Sequence, residues 1–377
     1  MDQYAQLLAD LAEVGALGEE WRGAFERAPR SAFVPDEVWV EDDEAPNGYR
    51  SVSRHADPAR WWEEVNSRRQ IVTQVDDGRA DGPGIATSSS SMPSLVAAML
   101  RHLAVADGNT VLDIGTGTGW TSALLCARLG DQAVTTIEVD PAVAATAGER
   151  LAAIGAKPTR VVGDGLLGHP AGAPYDRIHS TAAVQQVPPV WIEQTRPGGI
   201  IVTPWGTPYA NAGLLRLEAG EPGQGALGRF VGDVSFMWMR AQRPHAVKAL
   251  GRPSPEYQGP SRIDPDLAEE NVHAAFAIGL RVPGVRTLHT WDEADPAGTH
   301  RFHLADDAGS CASVRFQDWA GPDAVHQSGP RRLWDEVTSA HLAWLADDRP
   351  ELTRFGLTIT AEGDQQVWLD APGNVLP

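Results

Sequence analysis

A chain of 377 residues has room for two or three domains and for a large buried core. Its 50 acidic residues against 31 basic ones give a formal net charge of −19, which excludes a protein that grips a nucleic-acid phosphate backbone with a basic stripe. The two cysteines, Cys126 and Cys311, form no CxxC or Cys/His pattern, so no metal is expected.

In chain order, residues 1–35 read as two short helices. Leu7, Leu8, Leu11 and Val14 recur at helical spacing, and so do Trp21, Phe25 and Ala28. The acidic, amphipathic N-terminus does not read as a signal peptide. Residues 37–85 read as irregular, anchored by Trp61, Trp62, Ile71, Val72 and Val75. The run 93–102 starts on Pro93, which suits a first helical turn, and carries an apolar face of Leu95, Val96, Met99 and Leu100.

Strands and helices then alternate. Strands are expected at 110–114, 133–138, 159–163, 175–180 and 199–204, with helices at 120–129, 141–154 and 188–195. Alternation with β-branched strands predicts a mostly parallel sheet covered on both faces. After residue 240 the pattern changes. A proline-rich, basic stretch (241–262) reads as a linker. Beyond it, helices at 265–279 and 331–346 and strands at 286–291, 300–305, 311–317 and 354–369 predict an α+β module. The expected division is 1–85, 86–240, the linker 241–262, and 263–377. No run of about 18 apolar residues occurs, so no membrane span is expected and the cytoplasm is the default location.

Three strand ends carry chemistry. The first runs VLDIGTGTGW from Val111 to Trp120, the second ends TTIEVD at Asp140, and the third ends VVGDG at Gly165. Open parallel sheets bind ligands outside the carboxyl ends of their strands. Gly115, Gly117 and Gly119 let the backbone pass close to a ligand, and the helix after them points its positive end there. Glu138, about 20 residues on, is placed to accept two ribose hydroxyls. Asp164 is placed to accept from an adenine amino group. Together these predict S-adenosyl-L-methionine as cofactor, with Thr116, Val139 and Gly165 as further contacts. Asp113 reads as an organiser of the loop, with a contact to the ligand's ammonium as the alternative. A nicotinamide dehydrogenase uses similar physics, but the glycines here are not spaced GxGxxG.

The stretches FERAPRSAFVPDEVW (25–39), with its Arg30, and GDGLLGHPAGAPYDRIHSTAAVQQVPPVWIEQTRPGGIIVTPWG (163–206) resemble the protein-L-isoaspartate O-methyltransferase family. The resemblance covers roughly residues 10–240. It implies a doubly wound, Rossmann-like class I S-adenosylmethionine-dependent methyltransferase domain, here with an additional C-terminal α+β domain. It also implies methyl esterification of a side-chain carboxylate in an aspartyl or L-isoaspartyl residue of a peptide or protein, releasing S-adenosyl-L-homocysteine. The partner is that peptide, with no nucleic acid and no membrane.

The family's Thr-Ile-Ser-x-Pro-x-Met segment falls on Ser89-Ser90-Ser91-Met92-Pro93-Ser94-Leu95. Ser91 takes the family's serine and Pro93 its proline, and Ser90 replaces an isoleucine. The resemblance makes Ser91 and Ser89 the catalytic candidates. Ser90, Pro93, Thr181, Ala182 and Trp205 are the candidates on the acceptor side. The alternative for the serine run is a solvated flexible loop. A carboxylate is ionised at pH 7, so no strong base is needed, and the work is alignment and exclusion of water.

The hydroxyl-rich segment and the added module make this chain similar to extended relatives thought to methylate one aspartate of a ribosomally made peptide, whose ester closes to an aspartimide. The alternatives are a general isoaspartyl repair enzyme and a non-catalytic cofactor-binding protein that recognises peptides. Among the other residues, His179 reads as a core histidine paired with backbone. Trp205 reads equally as a pocket wall or as packing, and Gln185 and Gln186 as donors to substrate or as loop caps. His300 and His303 are too isolated for a metal site.

Overall fold

The computed structural model describes residues 3–376 apart from 43, 46–47, 83, 248–254, 270 and 293–298. The chain divides into two compact units. The first holds Met1–Ala182, Pro188–Thr203 and Arg216–Ala226, and the second holds Ala183–Val187, Pro204–Leu215 and Leu227–Pro377.

The first unit opens with α1 (Gln3–Glu13) and α2 (Glu19–Arg27), whose apolar faces bury Leu7, Leu8, Leu11, Trp21 and Phe25. It continues through β1 (Glu37–Glu41), β2 (Tyr49–Ser53), α3 (Pro58–Val65), β3 (Ile71–Val75) and β4 (Ala86–Ser90). The stretch expected to be irregular is therefore ordered. It forms an antiparallel sheet in the order β2-β1-β3-β4, over a core of Val34, Val38, Val40, Val52, Trp61, Val65 and Ile71. The expected boundary between residues 85 and 86 falls inside this sheet, because β4 pairs with β3. The serine run is not a flexible loop: Ser88, Ser89 and Ser90 are strand residues of β4.

The alternating part follows as expected: α4 (Pro93–Leu103), β5 (Val111–Ile114), α5 (Trp120–Leu129), β6 (Val134–Glu138), α6 (Pro141–Ala153), β7 (Thr159–Val162), β8 (Tyr175–Ser180) and α7 (Pro189–Glu193). With β9 (Thr195–Gly206), the strands lie side by side in the order β9-β8-β5-β6-β7, and each pairing among them is parallel. Val111, Leu112, Val134 and Ile178 are buried because helices cover both faces of such a sheet. The connections leave β5 toward β6 and β7, then cross to β8. The switch point thus lies between β5 and β8, where open α/β sheets bind ligands.

The stretch after residue 206 gave no strand in the sequence reading. It carries β10 (Asn211–Ala219) and β11 (Ala226–Asp233). The second unit adds β12 (Tyr257–Gly259), α8 (Val272–Arg281), β13 (Arg286–Asp292), β14 (Thr299–Ala305), β15 (Cys311–Arg315), β16 (Val325–Ser328), α9 (Leu333–Ala346), β17 (Phe355–Ile359) and β18 (Gln365–Leu369). Its five-stranded sheet has the order β12-β16-β15-β14-β13. Phe302, Leu304, Val314 and Val325 of that sheet share a core with Ile278 of α8 and Leu333, Trp334 and Val337 of α9. The expected linker is only partly one: β12 lies within it, and residues 248–254 are outside the described residues. Among the described residues no helix is long and apolar enough to cross a membrane.

Candidate active site

The parallel pairing brings the ends of β5, β6 and β7 to one edge. The turn after β5 needs glycine at three positions: φ is +86° at Gly115, +54° at Gly117 and +92° at Gly119. A Cβ on Gly115 would meet Thr181 Oγ1 at 2.8 Å, so this residue is also a close approach. At Gly117 the nearest atoms to a Cβ would be Gly115 O at 3.7 Å and Ser88 Oγ at 4.0 Å. A methyl group there would sit in ordinary van der Waals contact with the loop and with β4, so it is the positive φ that calls for glycine at this position.

Glu138 ends β6 with only 9% of its surface exposed. Its Oε2 accepts the Gly117 N–H at 2.9 Å and its Oε1 the Asp140 N–H at 3.0 Å. A carboxylate has about four lone-pair sites, so acceptor capacity remains for a ligand's hydroxyls. Val139 beside it is 42% exposed. Asp140 caps α6 by accepting from Ala142 and Val143, and takes a bond from Gln74 Nε2 at 3.3 Å. Asp164 is exposed and accepts from Leu166 N, which shapes a 3-10 turn at Gly165–Leu167. Gly165 is buried, its carbonyl accepting from Trp191 Nε1. A cavity of about 220 Å³ opens beside Thr116, lined by Pro141, Ala144 and Ala145 of α6 and by Arg160, Val161 and Val162 of β7. The glycine turn and the Glu138 carboxylate fit an adenosyl group.

Asp113 does not reach a ligand's ammonium. It is fully buried under the loop, and both of its oxygens are engaged. Oδ2 accepts from Ser122 Oγ at 2.6 Å, and Oδ1 takes His179 Nδ1 at 2.8 Å. His179 is therefore not paired with backbone, as the sequence suggested. Its Nε2 is buried with no hydrogen-bond partner among the described residues. From Asp113 the chain of hydroxyls runs through Ser122 and Thr136 to Thr116 Oγ1, which lies 2.7 Å from Thr136 Oγ1. The buried pair thus braces the glycine turn from below.

Thr181 braces the same turn from the side. Its N–H donates to Ile114 O at 2.9 Å and its Oγ1 to Gly115 O at 2.7 Å. That ties the Thr181 side chain to the glycine loop. Ala182 O accepts from Ser180 Oγ at 2.8 Å. Trp205, in the second unit, is 6% exposed and packs on Phe230 and Phe276, with ring centroids 5.3 and 6.0 Å away, and its buried Nε1 has no hydrogen-bond partner among the described residues. Gln185 and Gln186 are loop staples, since both of their backbone N–H groups donate to Gln242 Oε1.

Strand alternation splits the serines. Ser90 is 1% exposed and its Oγ accepts from Arg30 Nε at 3.0 Å, so its hydroxyl is not offered to an acceptor. Ser88, not singled out in the sequence, faces Gly117 and takes a bond from Thr73 Oγ1 at 3.3 Å. Ser89 and Ser91 are half-buried, and among the described residues no hydrogen bond engages either hydroxyl. Pro93 is the first residue of α4, whose N-terminus has no side-chain cap. In the second unit, His300 Nε2 lies 2.8 Å from His289 Nδ1, and among the described residues no group of three or more metal-type ligands occurs.

The family model for Protein-L-isoaspartate(D-aspartate) O-methyltransferase (PCMT) matches residues 70–221. Protein-L-isoaspartate O-methyltransferase 2 of Syntrophobacter fumaroxidans is 39% identical over 135 residues, 36% of this chain and 54% of the relative. The protein-L-isoaspartate O-methyltransferase of Pyrococcus abyssi is 36% identical over 161 residues, 42% of this chain and 73% of the relative. In several curated relatives, then, the chain spans little more than half of their length. A solved structure titled protein-L-isoaspartate O-methyltransferase covers 98% of this chain and 100% of its own, with a TM-score of 0.55 at 19% identity. That likeness is one of fold, and it extends through the C-terminal region, which the sequence had set apart as unlike the family.

Proposed function

The chain belongs to the protein-L-isoaspartate O-methyltransferase family, and we propose that it is an S-adenosyl-L-methionine-dependent enzyme that esterifies a side-chain carboxylate of an isoaspartyl or aspartyl residue in a peptide. One observation carries this reading. Glu138 is pinned to the Gly117 N–H at 2.9 Å, while β4 lies across the same glycine, with Ser88 Oγ 4.0 Å from where a Cβ would sit. Donor-binding loop and acceptor strand meet at one residue.

The chemistry asks little acid–base work of the protein. When bound, the cofactor supplies an electrophilic methyl group on its sulfonium. The acceptor carboxylate is already ionised at neutral pH. Gly115, Gly117 and Gly119 would give the cofactor close backbone contact, and Glu138 would accept from its ribose hydroxyls. Ser89 and Ser91 donate to the acceptor carboxylate, helped by the uncapped N-terminus of α4. Near-linear alignment of the reacting atoms, with water kept out, supplies the rate.

A second reading concerns the acceptor. The resemblance to extended relatives rests on the serine run, of which Ser89 and Ser91 keep hydroxyls that no hydrogen bond engages among the described residues; this second reading takes them as donors to one modified peptide. In an aspartyl peptide, the next residue's amide nitrogen would attack the new ester. A C–N bond forms, the C–OCH₃ bond breaks, and methanol leaves with the amide proton, giving an aspartimide. The C-terminal region does not itself favour this reading, since a structure named for isoaspartyl methylation shares the fold along the whole chain. The test is turnover of labelled cofactor with a generic isoaspartyl peptide and its aspartyl twin. Strong turnover of the isoaspartyl peptide supports a repair enzyme. Turnover of neither, with turnover of one dedicated peptide, supports tailoring. Label that survives mild base would not be an ester and would refute carboxyl methylation.

A further inference from the structure

Arg30 stands outside the chemistry above, yet it is among the most completely buried side chains, with 0% exposure. Among the described residues it makes no ion pair. Its donors instead go to oxygens of two chain segments. Nε donates to Ser90 Oγ at 3.0 Å, and Nη1 to Val65 O and Ser67 O at 3.3 Å each. Nη2 divides its two protons among Ser90 O at 2.7 Å, Arg69 O at 2.9 Å and Ser91 O at 3.0 Å. The guanidinium carbon also lies 5.7 Å from the ring centroid of Trp120, which begins the helix after the glycine turn. Burial pushes the Arg30 pKa down to about 9, which leaves the group charged at neutral pH.

A buried charge outside any ion pair is costly unless its hydrogen bonds are complete. Here the planar fork satisfies them by fixing the carbonyls of two consecutive residues, Ser90 and Ser91. With Ser90 turned inward onto Arg30, strand alternation turns Ser89 the other way, and the bonds to the Ser90 and Ser91 carbonyls fix the backbone where it leaves β4 at Ser91. The same side chain lies against Trp120, the first residue of α5. Resting on the proposed function, we infer that Arg30 is a positioning residue: it fixes the end of β4 so that the Ser89 and Ser91 hydroxyls face the carboxylate to be methylated. A lysine cannot replace it, because a point charge with three donors does not reproduce the planar fork.

The experiment uses the full chain with Arg30→Lys and, should that variant fold poorly, Ser90→Ala, which removes only the bond to Nε. Two readouts are taken: hydrogen exchange across residues 86–92 and 113–120, and kcat, KM for an isoaspartyl peptide and affinity for S-adenosyl-L-homocysteine. The expected result for Arg30→Lys is faster exchange in 86–92 with 113–120 unchanged, cofactor affinity within about twofold, and kcat lower by about 100-fold, the cost of a small misplacement. Ser90→Ala should lower kcat by only a few-fold. Unchanged exchange in 86–92 would overturn the inference whatever the activity, and so would a loosened strand with wild-type kcat and KM. Wild-type protein that methylates no carboxylate would instead refute the proposed function, while the exchange measurement still decides whether Arg30 holds the strand.

Discussion

Replacing Glu138 by glutamine separates two jobs that the carboxylate does at once. It holds the glycine turn through the Gly117 and Asp140 N–H groups, at 2.9 and 3.0 Å, and it is placed to accept the ribose hydroxyls. Glutamine keeps one acceptor oxygen and turns the other into an NH₂ group, so one of the two backbone donors meets a donor. Leaving such a group unpaired costs about 1–3 kcal/mol. For a unit of this size each kcal/mol lowers Tm by about 2–4 °C, so Tm should fall by about 2–12 °C. Cofactor binding suffers separately. A hydrogen bond to an ionised acceptor is worth about 1.5–3 kcal/mol, so losing one raises the Kd by about 10- to 150-fold. Calorimetric titration with S-adenosyl-L-homocysteine, beside a thermal melt, measures both. A lowered Tm with a Kd within twofold of wild type would mean that Glu138 only braces the loop.

Asp113→Asn weakens the buried bond with His179 and disturbs the bond from Ser122; losing a hydrogen bond to a charged group costs about 1.5–3 kcal/mol, read as a lower midpoint in urea. An unchanged midpoint would remove the brace from the account of the glycine turn. Ser91→Ala should lower kcat by about tenfold or more while leaving cofactor affinity intact, since the hydroxyl is assigned to the acceptor. An unaltered rate would reduce Ser91 to scaffold. In the second unit, burial holds the pKa values of His300, His303 and His341 below the ordinary range, helped by His289 at His300, Arg301 at His303 and Arg349 at His341. The unfolded chain then binds more protons than the folded one as pH falls through about 6.5, so stability should decline from neutral pH toward pH 5. Melts across that range should show a falling Tm, and His303→Gln should flatten the slope. A Tm that rises on acidification would reverse the sign and contradict the assignment.

The parallel half of the molecule was legible because strands such as VLDIG and TTIEVD are short β-branched runs closed by glycine or an acidic residue. The antiparallel additions were not. β1 (EVWVE) and β2 (YRSVS) are five residues each and carry charges, so little marks them locally; what makes them strands is pairing with each other and, for β1, with β3. β10 and β11 were missed for a related reason, since glycine and charged residues break their apolar alternation. Glu138 and the three glycines could be placed from spacing alone. The partner of His179 could not, because Asp113 lies 66 residues away and the two meet only when β8 pairs with β5 in that register. Nothing in the spelling of the serine run tells its members apart; Ser90 turns onto Arg30, a residue 60 positions away, and its strand neighbour Ser89 turns the other way.

The most direct measurement is a crystal structure of the protein with S-adenosyl-L-homocysteine and an isoaspartyl peptide. The expected result places the ribose hydroxyls on Glu138 above the turn at Gly115–Gly119, with the peptide carboxylate within hydrogen-bond reach of Ser89 and Ser91. A cofactor lodged away from Glu138, or a peptide carboxylate held by residues other than the β4 serines, would contradict the account.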